Sequence, residues 1–97
     1  MARPGKIPTT VVTSDTTLKS SPGKVWAITV CNSHATENAS VELQDGTSTD
    51  RWAVVLPGLD TPGATIVHAV FDPPIEMQTD IRIDITSGTV AATVFWT

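Results

Sequence analysis

Two histidines, one cysteine and ten carboxylates are, beside the hydroxyls and three lysines, the main groups in this 97-residue chain that could act as nucleophile, base or metal ligand. Nucleophilic catalysis needs a Ser or Cys beside a His that a third group orients. His34 lies in Asn32-Ser33-His34-Ala35-Thr36-Glu37-Asn38, which reads as a loop, and His68 lies inside a strand between Val67 and Ala69. No serine sits in a nucleophile-elbow motif. The expectation is a solvated loop histidine and a packed strand histidine. A zinc site needs about four converging ligands, and Cys31 with two distant histidines offers no such spacing. Asp45 and Asp50 flank a Gly46-containing loop that resembles a calcium loop only loosely. It lacks the alternating acids and the closing Glu, so it reads as a strand connection. Paired carboxylates suit glycoside chemistry, but nothing distinguishes one pair. Asp80 and Asp84 read as solubility residues on a polar strand face. No phosphate-binding glycine loop is present. These absences predict a protein with no catalytic residues, metal or cofactor.

The aromatic residues carry more information. Trp26, Trp52 and Trp96 stand beside two Phe and no Tyr. A tryptophan in a β-protein fills the core, anchors a protein interface, or stacks on a sugar ring. All three roles are open from the sequence.

The chain is long enough for one hydrophobic core and too short for two. Charged residues make up only 16%, against a usual fraction of about 25%. The net charge of −4 argues against a nucleic-acid binder, which shows a basic face. Residues 1–24 hold Arg3, Lys6, Lys19 and Lys24 against Asp15, whereas residues 25–97 hold Arg51 and Arg82 against nine carboxylates. Residues 1–8 therefore read as a basic arm, with Arg3 and Lys6 available to an acidic neighbour or simply solvated. A single cysteine forbids an intrachain disulfide. The first residues lack the apolar stretch of a secretory signal. No run reaches the ~18 apolar residues of a membrane helix. A soluble protein used without export is the expectation.

The elements that must position these residues are strands. Helical periodicity is missing, and seven Pro and six Gly interrupt the chain too often for helices. Eight strands are predicted, near 9–13, 16–20, 24–32, 39–45, 50–56, 64–71, 80–86 and 89–96. Asp80-Ile81-Arg82-Ile83-Asp84-Ile85 alternates strictly, as a half-buried strand requires. Ser87-Gly88 reads as a tight turn pairing the last two strands in a hairpin. Asp45 to Asp50 connects Val41–Leu43 to Trp52–Leu56. Asp72-Pro73-Pro74 must be a bend or a sheet edge, because proline cannot donate to a ladder. Turns at this regular spacing predict one all-β domain over residues 9–97: an antiparallel sandwich of about eight strands, jelly-roll-like rather than immunoglobulin-like.

Four stretches depart from a water-facing sandwich. Residues 25–31, 52–56, 66–71 and 90–96 are apolar on both strand faces. Val25, Ala27 and Cys31 oppose Trp26, Ile28 and Val30, while Val67, Ala69 and Phe71 oppose Ile66 and Val70. The outward face of an exposed sheet is normally polar, and monomers seldom leave large apolar patches in water. Loops could cover these faces within the chain. An obligate assembly, with this chain as a homo-oligomer, is the favoured expectation.

Leu18-Lys19-Ser20-Ser21-Pro22-Gly23-Lys24-Val25-Trp26, Val41-Glu42-Leu43-Gln44-Asp45-Gly46-Thr47-Ser48, Phe71-Asp72-Pro73-Pro74-Ile75 and the closing Ile81-to-Val90 segment together resemble a group of short all-β virion proteins of tailed bacteriophages. The resemblance spans about residues 15–97 and rests on strand rhythm and turn residues. It implies a head decoration (cement), head-fibre or tail-associated component, often trimeric, bound to the capsid or another virion protein. It also implies assembly in the host cytoplasm and no catalytic residues. Under that expectation Arg3, Lys6, Trp26, Trp52 and Trp96 are the candidate partner contacts. The alternative is a carbohydrate- or receptor-binding module of a phage fibre. Neither nucleic acid nor membrane is an expected partner.

Overall fold

Because each strand alternates side chains across a sheet, two sheets laid face to face can share one set of apolar residues as a core. The computed structural model describes residues 9–47 and 49–97, and these build that arrangement. The strands are β1 (Thr9–Val12), β2 (Thr16–Lys19), β3 (Gly23–Asn32), β4 (Ala39–Gln44), β5 (Asp50–Leu56), β6 (Ile66–Met77), β7 (Ile81–Thr86) and β8 (Val90–Trp96). Among the described residues there is no helix.

The chain pairs with itself as one ribbon doubled back at the β4–β5 hairpin. β4 pairs with β5, β3 with β6, β2 with β7 and β1 with β8, all antiparallel. The ribbon then winds so that β8 also meets β3 and β7 also meets β4. Two four-stranded sheets result: sheet one ordered β1-β8-β3-β6, and sheet two ordered β2-β7-β4-β5. This is a jelly roll, as the number and rhythm of the strands predict.

The inward residues are those with least polarity. Val12, Val25, Ile28, Val30, Val90, Ala92 and Val94 from sheet one meet Val41, Leu43, Leu56, Ile81 and Ile83 from sheet two, all buried. Burial of each Ile or Leu contributes about 1.5–3 kcal/mol. Trp52 of β5 closes one open side of the sandwich by meeting Phe71 of β6 edge to face, with ring centroids 6.1 Å apart.

Three expectations change. Ser87 and Gly88 do adopt left-handed backbone, with φ of 63° and 75°, but they do not close a hairpin. β7 ends in sheet two and β8 begins in sheet one, so the turn crosses the core. The reason is local: buried Asn32 accepts the Thr89 N–H at 3.1 Å and sets the start of β8 beside β3. Second, the strand expected over 64–71 spans Ile66–Met77, running on through Pro73 and Pro74, whose expected place at a sheet edge holds. It lies at a sheet edge, where missing donors cost nothing, and the Asp72–Pro73 bond is cis. Third, the register of β3 shifts between Val25 and Ala27. This bulge turns both Val25 and Ile28 into the core and leaves Trp26 and Ala27 only partly buried. The simple alternation that grouped Ala27 with Val25 thus fails at that point.

Candidate functional site

The two outer faces of the sandwich differ in chemistry. On sheet two, cross-strand rows read Thr17–Arg82–Gln44–Asp50, then Asp84–Glu42–Ala53, then Thr86–Ser40–Val55. Charged and hydrogen-bonding side chains dominate it, as expected for a face in water. Glu42 is raised above the usual carboxylate range, first by its hydrogen bond to Asp50 and then by repulsion from the same group. Asp50 is correspondingly lowered by that bond and by Gln44. Asp84 is raised by its hydrogen bond with Asp15. Asp15, Asp84 and Arg82 line a shallow polar depression of about 290 Å³ on this face.

On sheet one the rows read Thr9–Phe95–Ala27–Val70, then Val11–Thr93–Thr29–His68, then Ala91–Cys31–Ile66. No carboxylate, lysine or arginine occurs among them. Val11, Ile66 and Val70 are 65%, 64% and 68% exposed. Thr29 Oγ1 and His68 Nδ1 share a hydrogen bond across the β3–β6 pair, so two of the polar groups in the middle row are paired with each other. At one end, Trp26, Ala27, Val70, Phe95 and the Asp72 carboxylate line a largely apolar depression of about 490 Å³. Of the four stretches apolar on both faces, three fall in β3, β6 and β8 of this one sheet. Only 52–56 lies in the other, on its edge strand β5.

The candidate contacts are scattered. Trp26 reaches the depression on the outer face, its Nε1–H donating to Thr97 Oγ1 at 3.0 Å. Trp52 and Trp96 pack against the core, and Trp96 Nε1–H donates to Thr10 Oγ1 at 3.1 Å. Arg3 and Lys6 lie outside the described residues. His68, expected to be packed, is exposed on the outer face. His34 is more than a solvated loop residue: Nδ1 accepts the N–H groups of Thr36 and Glu37 at 3.1 and 2.9 Å, and Nε2 meets the Glu37 carboxylate at 3.1 Å. These bonds leave His34 committed to its loop. Among the described residues no three His, Cys, Asp or Glu side chains converge to hold a metal ion.

Two polar groups hold the strand connections, a role that the sequence does not reveal. Asp45, with its side chain only 3% exposed, accepts N–H groups from Gln78 at 2.8 Å and Thr79 at 2.7 Å, and the Arg51 guanidinium at 3.1 Å. The Gln78 bond leads in lowering its carboxyl to about 2, against the opposing effect of burial. In return, Asp80 accepts the Gly46 N–H at 2.7 Å. The Asp45–Asp50 loop is therefore latched to the β6–β7 turn by its own carboxylate. Asn32 is buried, and its amide donates to the carbonyls of Glu37 and Pro57 at 2.9 and 3.1 Å. Its Oδ1 accepts from His34 and Thr89, both at 3.1 Å. Counting alternation from Ile28, past the bulge, would have placed Asn32 inward. No protein-family model, curated protein or solved structure matches the chain.

Proposed function

We propose that this chain is a non-enzymatic structural protein of a virus particle, of the capsid-decoration type, that works by burying the outer face of sheet one against other protein subunits. The observation that carries this reading is the contrast between the two faces. The same chain places Glu42, Asp50, Asp84 and Arg82 outward on one sheet and none of their kind in the three rows of the other. Large side chains held in water, such as Ile66 and Val70, are characteristic of surfaces that another protein covers. The jelly-roll winding and the sequence resemblance to phage virion proteins support the particle setting. Repetition on a lattice multiplies modest contacts into firm attachment. Mass spectrometry of purified particles carrying this gene tests it. The chain is expected at a copy number matching a symmetric shell, fibre or tail, and its absence from particles refutes the reading.

One observation favours a second reading, glycan or receptor binding. The β3 bulge brings the Trp26 ring to the rim of an apolar depression that also holds Asp72, a pairing suited to stacking a sugar and binding its hydroxyls. Trp26→Ala should then abolish glycan-array binding while leaving the fold intact. Equal binding by wild type and variant removes this reading.

A further inference from the structure

We infer that the occupant of sheet one's outer face is a second copy of this chain, packed face to face so that the β6 ridge of each copy seats in the β8–β3 trough of the other. The inference deepens the proposed function and rests on it.

The shape of the face carries the argument. Its edge strand β6 presents Ile66, His68 and Val70, all exposed. Over two rows the central strands present small side chains, Thr29 and Cys31 from β3 and Ala91 and Thr93 from β8, and in the third row Ala27 stands beside the larger Phe95, all only partly exposed. A ridge of larger residues thus runs beside a trough of small ones that Phe95 closes at one end. Two identical faces related by a two-fold axis parallel to the strands, offset by about one and a half strand spacings or ~7 Å, place ridge into trough twice. Such an isologous contact closes on itself. A centred arrangement would set the β6 ridge against Val11 of β1 and leave the trough empty, which close packing disfavours.

Charge allows the same partner. Each copy carries a net −4, so two copies repel through most orientations. Glu42, Asp50 and Asp84 lie on the opposite sheet, about 10 Å further away across the sandwich. The three rows themselves carry no charge, and of the charges beyond them Lys24 and Glu76 pair with each other, so like-charged copies approach here at low electrostatic cost.

Area sets the strength. Three strands at ~4.8 Å and three rows at ~6.8 Å give a footprint of roughly 300 Å² per copy. A standard stable interface buries about 800 Å² per partner. The isolated pair is therefore a concentration-dependent dimer rather than an obligate one, and neighbours in a lattice reinforce it.

Sedimentation velocity from about 5 to about 500 µM, the range suited to a contact of this size, tests the inference. Wild type should shift from monomer to dimer. Ile66→Lys and Val70→Lys should weaken association at least about tenfold. Val55→Lys, on the outer face of sheet two and equally exposed at 66%, should leave it unchanged. Ala91→Phe is the decisive variant: it adds apolar surface yet fills the trough, so it should weaken association as well. Circular dichroism verifies that each variant folds. Maleimide labelling of Cys31, which lies in the trough, should slow with concentration in wild type and not in Val70→Lys. A wild type that stays monomeric throughout, an Ala91→Phe that associates more strongly, or a Val55→Lys as disruptive as Val70→Lys overturns the inference. A monomer still recovered from particles overturns the pairing and leaves the proposed function standing. A dimer missing from particles does the reverse.

Discussion

Replacing Asp45 with Asn should cost the fold about 2–3 kcal/mol at pH 7, because the buried carboxylate works as a charged acceptor for two backbone N–H groups and the Arg51 guanidinium at once. Oδ1 takes the Thr79 N–H, and Oδ2 takes both the Gln78 N–H and Arg51 Nη2. An asparagine presents one oxygen and one NH₂ in that space. One backbone donor then faces another donor, and Arg51 loses its counter-charge. The lowered carboxyl gives a second route to the magnitude. A fall from 3.8 to about 2, at 1.36 kcal/mol for each unit of pKa, corresponds to about 2 kcal/mol. The group is almost fully buried, so solvent screening takes little from that figure.

The sign of the pH dependence follows. The folded-state pKa lies below the unfolded one, so the unfolded chain binds the proton more readily. The contribution is complete above about pH 4 and drains away as the pH falls toward 2. Urea titrations of wild type and Asp45→Asn at pH 7, 5, 4 and 3 (about one pH unit apart across the titration) should show a gap that is constant down to about pH 4 and narrows below it. Thermal midpoints at pH 7 should differ by roughly 10–20 °C for a domain this size. Arg51→Met, which removes only a half-exposed partner, should cost less than about 1 kcal/mol. A gap below about 0.5 kcal/mol at pH 7, or one unchanged at pH 3, would show that the latch is ornamental and the loop is held otherwise.

Asn32→Leu should destabilise by about 3 kcal/mol, since it strands two part-buried carbonyls and two N–H groups around one buried side chain; chemical denaturation measures it. Gly88→Ala should also destabilise, by more than about 1 kcal/mol, because its φ is +75° and a Cβ there would stand 2.8 Å from both Asn32 Oδ1 and Ala39 Cβ. Glu42→Gln should raise the thermal midpoint at pH 7. The raised carboxyl of Glu42 marks a charge that opposes folding above its pKa, so the gain should vanish when both proteins are compared near pH 4.

Much of the architecture is written in local residue types. Pro and Gly mark where strands stop, and the Ile81–Ile85 alternation identifies a strand whose one face is core. The Asp45-Gly46 connection is read correctly because both its strands pair with each other. Ser87-Gly88 is misread because the same turn chemistry serves a crossing between sheets, and only the partner of each strand separates the two cases. The β3 bulge is likewise invisible: inserting one residue at Trp26 reverses which face every later side chain takes. That one shift decides whether Cys31 points into the core or out, and whether Asn32 is a surface amide or a buried hub. Asp45 reads as a loop acid because its donors come from Gln78 and Thr79, distant in sequence and near only after the ribbon has wound.

The winding also explains why an interaction face need not be contiguous in sequence. In a ribbon doubled at the β4–β5 hairpin, strands equidistant from the hairpin pair, and alternate rungs go to opposite sheets. β3 and β6 form one such rung, β1 and β8 another, and both fall in sheet one. An apolar outward residue on any of these four strands therefore lands on the same face, whereas the acids of β4 and β7 land together on the other. Selection for a binding face would have to act on four segments spread from Val11 to Phe95. In the three rows between Val11 and Phe95 they place no carboxylate, lysine or arginine outward, the charges of the sheet being set beyond them at Lys24, Asp72 and Glu76, and that is costly in solubility for a free monomer. Such a pattern fits a face that is covered in the assembled state, and the narrow, stepped footprint on β8, β3 and β6 matches what an identical face can cover.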